Sequence, residues 1–459
     1  MAARLIAVVL LVPPLVAGCN GDDPSADVLL ADARPADARP ADTRPAEPDG
    51  PPLPEVELPR SSILPAELGL IVNEDDPRSK EIASYYAAAR GIPAANLITV
   101  KLPTTAVVDP AVFKPIKAQV DAATPPGVQA YALTWMLPYR VGCMSITSAF
   151  ALGHDPKYCN DPALSGQSCS ITADVPYFMK ESTRPFTDFG IRPTMALAGV
   201  DAKQVKALVD RGLAAGDTLP PGKGYLIRTT DAVRSDPRYE AFQTSLKQLD
   251  HPGGVELEYI DNSQGPAEED VISGKKDVLF YFTGLTHVPK LETNTYRPGA
   301  VADHLTSVGG VLSPPGSGGQ MSVLRWLEAG VTGSYGTVVE PCNMWQKFPD
   351  TRVLLPYYFR GNTLVEAYWK SVKWPGEGIF VGDPLARPFG TWVTRDADSL
   401  TIRTTILMPL EDYELRGLDP KTGKMELIQK LRIDRFELVE ITIKPIRHTK
   451  YRLGKGSSF

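Results

Sequence analysis

The feature that most constrains this fold is an alternation of short apolar runs with amphipathic stretches, beginning near Ile63 and continuing past Thr337. Leu68-Gly-Leu-Ile-Val-Asn73 has the length and unbroken apolarity of a strand buried on both faces. Pro77 then sits where a first helical turn accepts it, Arg78 to Arg90 reads as a helix, and Gly91 ends it. The same rhythm predicts strands at 96–100, 128–133, 193–199, 224–229, 255–260, 277–282, Gly309–Leu312 and around Thr337–Val339. Helices are predicted at 111–122, 203–215, 237–249 and 320–329. Strands alternating with helices argue for an α/β body with a mainly parallel sheet, in two units spanning 63–190 and 191–389, the first carrying a cysteine-containing loop. After Pro388 the pattern changes. Leu400–Leu407 and Phe436–Ile443 alternate at period two, with the turn Asp419-Pro-Lys-Thr-Gly423 between them, which predicts a small β-sandwich-like domain over 390–459.

The residues before this body read as an address. Arg4 precedes an apolar stretch, Leu5 to Val16, of signal-peptide length; it is too short to span a bilayer and is broken by Pro13 and Pro14. It closes on Val16-Ala17-Gly18-Cys19, which resembles the lipobox of bacterial lipoproteins. That resemblance implies cleavage of residues 1–18 and lipidation of Cys19, and two or more acyl chains hold stably where one is marginal. Asn20 in place of Asp favours the outer membrane in a double-membraned cell. From Ala31 to Pro45 a five-residue unit is read three times, Ala-Asp-Ala-Arg-Pro twice and then Ala-Asp-Thr-Arg-Pro, and prolines continue through Pro59. Recurring proline without apolar periodicity builds no core, so 19–62 is expected to be an anchor and an extended, disordered stalk. The chain is thus expected to be extracytoplasmic and tied to a membrane by lipid. Its net charge of −6 and the lack of a basic patch interleaved with aromatics argue against nucleic acid.

Several stretches of the body resemble an uncharacterised family of exported bacterial lipoprotein-like proteins. They are Leu70-Ile-Val-Asn73, Pro77-Arg-Ser79, Tyr85-Tyr86, Arg90-Gly-Ile-Pro93, Pro298 to Leu305, Gly330 to Asn343, Gly361 to Tyr368 and Val381-Gly-Asp-Pro-Leu385. More distantly, the order of an α/β unit, a strand ending near a His, a Gly-rich strand, a Gly-Asp-Pro turn and a trailing β domain is similar to gingipain-type, caspase-like cysteine peptidases. That likeness implies a thiol whose proton is managed by an imidazole, with backbone N–H groups facing the oxyanion. In that fold the His follows one core strand and the Cys the next. Phe280-Tyr-Phe-Thr-Gly284 runs toward His287, but Gly309–Leu312 leads into Ser313–Gly319 without a cysteine, and the downstream thiol is Cys342. Either Cys342 works with His287 or His304 as a displaced dyad, or the scaffold is kept without the chemistry.

Gly316-Ser317-Gly318 is not the Gly-x-Ser-x-Gly elbow of serine hydrolases; the Gly-rich stretch could hold an anion, yet it lacks the Gly-Lys-Ser/Thr ending of a nucleotide loop. No cofactor is implied. Gly382-Asp383-Pro384 reads as a turn that could present a carboxylate. In an oxidising compartment Cys143, Cys159, Cys169 and Cys342 are disulfide candidates with three complete pairings, Cys159–Cys169 around a short loop being the natural one. His154, Asp155 and Cys159 could begin a metal site, but no second pair at ligand spacing follows. Trp326, Trp345, Trp369 and Trp374 are candidates for a glycan-binding face or for core. Two functions stay open: a non-catalytic module that binds a protein or glycan, and a cysteine-dependent, peptidase-like hydrolase.

Overall fold

Strand β2 (Leu68–Asn73) is buried at every position, as a central parallel strand must be when helices cover both faces. The helix Pro77–Arg90 follows, with Asp76 accepting from the Arg78 N–H at 3.0 Å, Pro77 in the first turn and Gly91 in the left-handed region at φ +64°. The computed structural model describes residues 54–160, 169–312 and 319–456. Cys19, the five-residue repeats and Gly316–Gly318 therefore lie outside the described residues. Among those described, no helix is long and apolar enough to cross a membrane.

The remaining strands of the body are β3 (Leu97–Val100), β5 (Ala130–Leu133), β8 (Thr194–Ala196), β9 (Lys223–Arg228), β10 (Glu256–Asp261), β11 (Val278–Gly284), β12 (Tyr296–Leu305), β13 (Gly333–Thr337) and β14 (Gly378–Gly382). With β2 they form one ten-stranded sheet in the order β10-β9-β11-β12-β13-β14-β8-β5-β2-β3. Every neighbouring pair is parallel except β13–β14, which is antiparallel. The sheet is thus two parallel halves of opposite direction, and their carboxyl ends open on opposite edges. The predicted α/β architecture is present, with both halves sharing one sheet. Short strands β4 (Val107–Val108), β6 (Arg140–Val141) and β7 (Met144–Ser145) make a separate small sheet.

One face of the large sheet is a continuous apolar layer, from Leu68 and Leu70 through Phe280 and Val301 to Phe380. The other face carries two clusters, around Ile71, Leu133 and Val381 and around Tyr281, Ala302 and Trp326. The C-terminal β domain is also present. Strands β15 (Thr391–Arg395), β16 (Leu400–Thr404) and β19 (Val439–Ile443) form one sheet. A second comprises β1 (Glu55–Glu57), β17 (Asp412–Leu418), β18 (Met425–Arg432) and β20 (Lys450–Lys455). Ile402 and Ile441 from the first sheet share a core with Leu415 and Tyr451 from the second.

Three expectations are corrected. The strand predicted at Gly309–Leu312 is absent; 307–310 turn, and the strand next to β11 is β12. Gly310 lies against β13, its N–H on Thr337 O at 2.9 Å. The end of the expected stalk is ordered: β1 pairs in parallel with β20, and the Ser61 carbonyl accepts from Asn362 Nδ2 at 2.8 Å. The cysteines pair as Cys143–Cys159 and Cys169–Cys342, not across the short 159–169 loop. The turn between β6 and β7 carries Cys143 to the returning chain at Cys159, leaving Cys169 for Cys342.

Candidate functional site

In an open α/β sheet, ligands favour the crevice outside the carboxyl ends of strands where the chain switches direction of travel across the sheet. Here the chain leaves β9 for β10 on one side and then takes β11 on the other. The residues just past these strands form the crevice. Asp270 accepts from the Thr230 N–H at 2.7 Å, the Thr230 hydroxyl at 2.5 Å and Asn262 Nδ2 at 2.7 Å. Arg234 pairs with Asp231 at 2.8 Å and donates from Nε to Thr306 Oγ1 at 3.4 Å; the Thr306 hydroxyl donates to Gln320 Oε1 at 2.7 Å. Gly284 ends β11 because a Cβ there would strike the backbone carbonyl of Arg234. The polar groups of the crevice are thus paired with one another.

The predicted dyad is not assembled. Cys342 is bonded to Cys169 and has no thiol to ionise. His304 lies within β12 and is 2 % exposed. Trp326 Nε1 can only donate, and it donates to His304 Nδ1 at 3.0 Å, so the ring proton is on Nε2, which donates to Met321 O at 3.1 Å. Both nitrogens are occupied. His287, three residues past β11, is exposed and its ring makes no hydrogen bond among the described residues. Just past the adjacent strand β12 the chain carries the hydroxyls of Thr306 and Ser307. The residues considered for metal are also committed: Cys159 is in a disulfide and Asp155 pairs with Lys157 at 2.7 Å.

Burial penalises the imidazolium of His304 and lowers its pKa from 6.5 to about 3. The unfolded chain therefore takes up a proton near pH 6.5 that the folded protein refuses. Stability from this group is full above pH 6.5 and is lost as pH falls toward 3, with a slope approaching about 1.4 kcal/mol per pH unit. The nitrogen chemical shifts of His304 are expected to report the neutral Nε2–H form down to about pH 4. Titration of this ring near pH 6.5 would show that it is not locked.

Sequence reasoning missed the buried charges. Asp383 is fully buried, with Tyr86 and Arg90 as partners. Arg238 pairs with Asp303 at 2.6 Å, and Lys347 with Glu377 at 2.8 Å, all four nearly inaccessible. The turn read at Gly382-Asp383-Pro384 therefore does not present its carboxylate to solvent, and Glu366, also fully buried, is marked in the sequence only by the capping box Thr363-x-x-Glu366. Of the candidate tryptophans, Trp326, Trp369 and Trp374 are core residues, at 0, 0 and 7 % exposure. Trp345 is 36 % exposed and lines a cavity of about 180 Å³ with Arg238, Glu240, Ala241, Asp350 and Arg352.

No protein-family model matches the chain, and no curated protein matches it. Among solved structures, one titled "Structure of Protease" aligns over 83% of this chain and 97% of its own, with a TM-score of 0.36 and 10% identity.

Proposed function

We propose that this protein is a lipid-anchored, extracytoplasmic binding module, which uses its α/β body to hold a protein or glycan ligand without covalent chemistry. The observation that carries the reading is the fate of the reactive groups: the Cys342 sulfur is in a disulfide and both His304 nitrogens are held by the core. A thiol hydrolase needs an ionisable sulfur and an imidazole free to take its proton, and this pair offers neither. Two disulfides also suit an oxidising compartment, in keeping with the Cys19 lipobox.

One mass-spectrometric map tests the proposal. Native protein from membranes is treated with iodoacetamide, digested without reduction and mapped. The expected result is no alkylation of the body, linked peptides for Cys143–Cys159 and Cys169–Cys342, and a diacylglyceryl-modified Cys19 at the mature N-terminus. Alkylation of Cys342 in the native protein would overturn the binding-module reading in favour of a hydrolase. An unmodified Cys19 would remove the anchor.

A further inference from the structure

Large aromatic residues left on a surface are informative, because folding ordinarily hides them. Five of the six tryptophans are buried or half-buried in this fold: Trp135, Trp326, Trp369, Trp374 and Trp392. Trp345 is the exception, at 36 % exposure, and the chain on either side of it is anchored. Two residues on, the buried Lys347 ammonium sits 2.8 Å from Glu377, and the Lys347 carbonyl accepts from the Tyr335 hydroxyl at 2.6 Å. The Gln346 carbonyl accepts from the Trp374 backbone N–H at 2.8 Å, and Cys342 is tethered three residues upstream. An anchored backbone leaves less conformational entropy to lose on binding.

The cavity beside it has a planar polar rim. The Arg352 guanidinium stands 5.8 Å from the indole centroid and is forked onto Asp350, with Nε 2.9 Å from Oδ1 and Nη2 2.6 Å from Oδ2. Glu240 is exposed in the first turn of the helix Tyr239–Leu249, whose N-terminus has no side-chain cap. Acceptors and donors therefore surround one aromatic surface. The charge balance narrows the ligand. Arg352 is paired with Asp350 and also faces Glu240, and Arg238 is paired with Asp303, so neither cation of the lining is left for a ligand. Such a site offers phosphate, sulfate and carboxylate groups no available cation. At about 180 Å³ it is smaller than the ~300–1,000 Å³ typical of drug-sized ligands, and suits a single ring. A pyranose has a C–H face that lies flat on an indole and a perimeter of hydroxyls that both donate and accept.

We propose that the Trp345 cavity is the subsite for one neutral pyranose residue of a glycan. This rests on the reading of the protein as a binding module and names its ligand class. The full-length protein in detergent is titrated with chitohexaose, cellohexaose and maltohexaose, and intrinsic tryptophan fluorescence and iodide quenching are followed. The expected result is saturable binding of one hexaose at or below about 1 mM, with Trp345 protected from iodide. Trp345→Ala should weaken binding by about 10-fold or more, Glu240→Ala should weaken it several-fold, and Leu427→Ala on β18 should leave it unchanged. The thermal melts of all three variants confirm folding, and Glu240→Ala carries the test if Trp345→Ala does not fold. The inference is overturned if no hexaose binds at about 10 mM. It is equally overturned if a folded Trp345→Ala binds as wild type does, or if hexagalacturonate binds more tightly than every neutral sugar. An unalkylated Cys342 with no sugar binding removes the subsite and leaves the module; an alkylated Cys342 removes the module whatever the sugars do.

Discussion

Replacing Asp383 with alanine is expected to lower the unfolding free energy by about 3–5 kcal/mol, the penalty for leaving a buried charge without its partner. Asp383 sits just past β14, is fully buried, and spends its oxygens on three groups. Oδ1 accepts from the Tyr86 hydroxyl at 2.7 Å and from the Leu385 N–H at 3.1 Å, and Oδ2 pairs with Arg90. Arg90 ends the helix Pro77–Arg90, where a cation complements the helix dipole. On the far side Gly212 presses so closely that no Cβ would fit against the carboxylate. The carboxylate thereby fastens the helix Pro77–Arg90 to the turn after β14, with Gly212 packed against it. Asp383→Asn should be milder than Asp383→Ala, because an amide can still accept from Tyr86. Pairing Asp383→Leu with Arg90→Met should recover part of the loss, since an apolar pair leaves no orphaned charge. The measurement is the urea midpoint and slope of each variant. A shift within about 0.5 kcal/mol of wild type for Asp383→Ala, as at an ordinary surface site, would show that the pair contributes nothing.

How much of this could be read from the chain depends on where each residue finds its partners. β2 and its helix were legible because the signals are local: an unbroken apolar run, Pro77 to open and Gly91 to close. β12 was not, because Asp303 and His304 interrupt its apolar pattern. Their partners, Arg238, Trp326 and Met321, come from other parts of the chain. Missing β12 also shifted the strand on which a nucleophile was sought. The helices Thr351–Phe359 and Leu364–Ser371 were hidden differently: they are buried on all sides, and the first contains Pro356, a breaker in any local reading. Lys370 looks like a surface cation, yet its ammonium lies 2.5 Å from Asn362 Oδ1 and 4.6 Å from the centre of the Tyr357 ring. Burial lowers its pKa to about 8. The Trp345 cavity was half legible. An aromatic platform could be suspected from the tryptophans, but which of them stays outside, and which charges meet it, is decided by tertiary packing.

Removing the Cys169–Cys342 bond is expected to cost about 2–5 kcal/mol, and the pattern of that loss distinguishes a crosslink from a nucleophile. The bond spans 173 residues, so in the unfolded chain it closes a long loop and restrains many conformations. Cys342→Ala and Cys169→Ala break the same bond and should destabilise the protein by similar amounts. The double variant should lose no more than either single one, giving a large interaction energy in a thermodynamic cycle. Cys143→Ala, which opens the separate Cys143–Cys159 loop of 16 residues, should add to these losses instead of being absorbed by them. A catalytic thiol behaves in the opposite way: its removal abolishes turnover, spares stability, and is not mimicked by changing a second cysteine. The deciding comparison is therefore between Cys342→Ala and Cys169→Ala under non-reducing conditions. Equal losses identify Cys342 as half of a crosslink. A neutral Cys342→Ala beside a destabilising Cys169→Ala would free the sulfur and reopen the case for chemistry at His287.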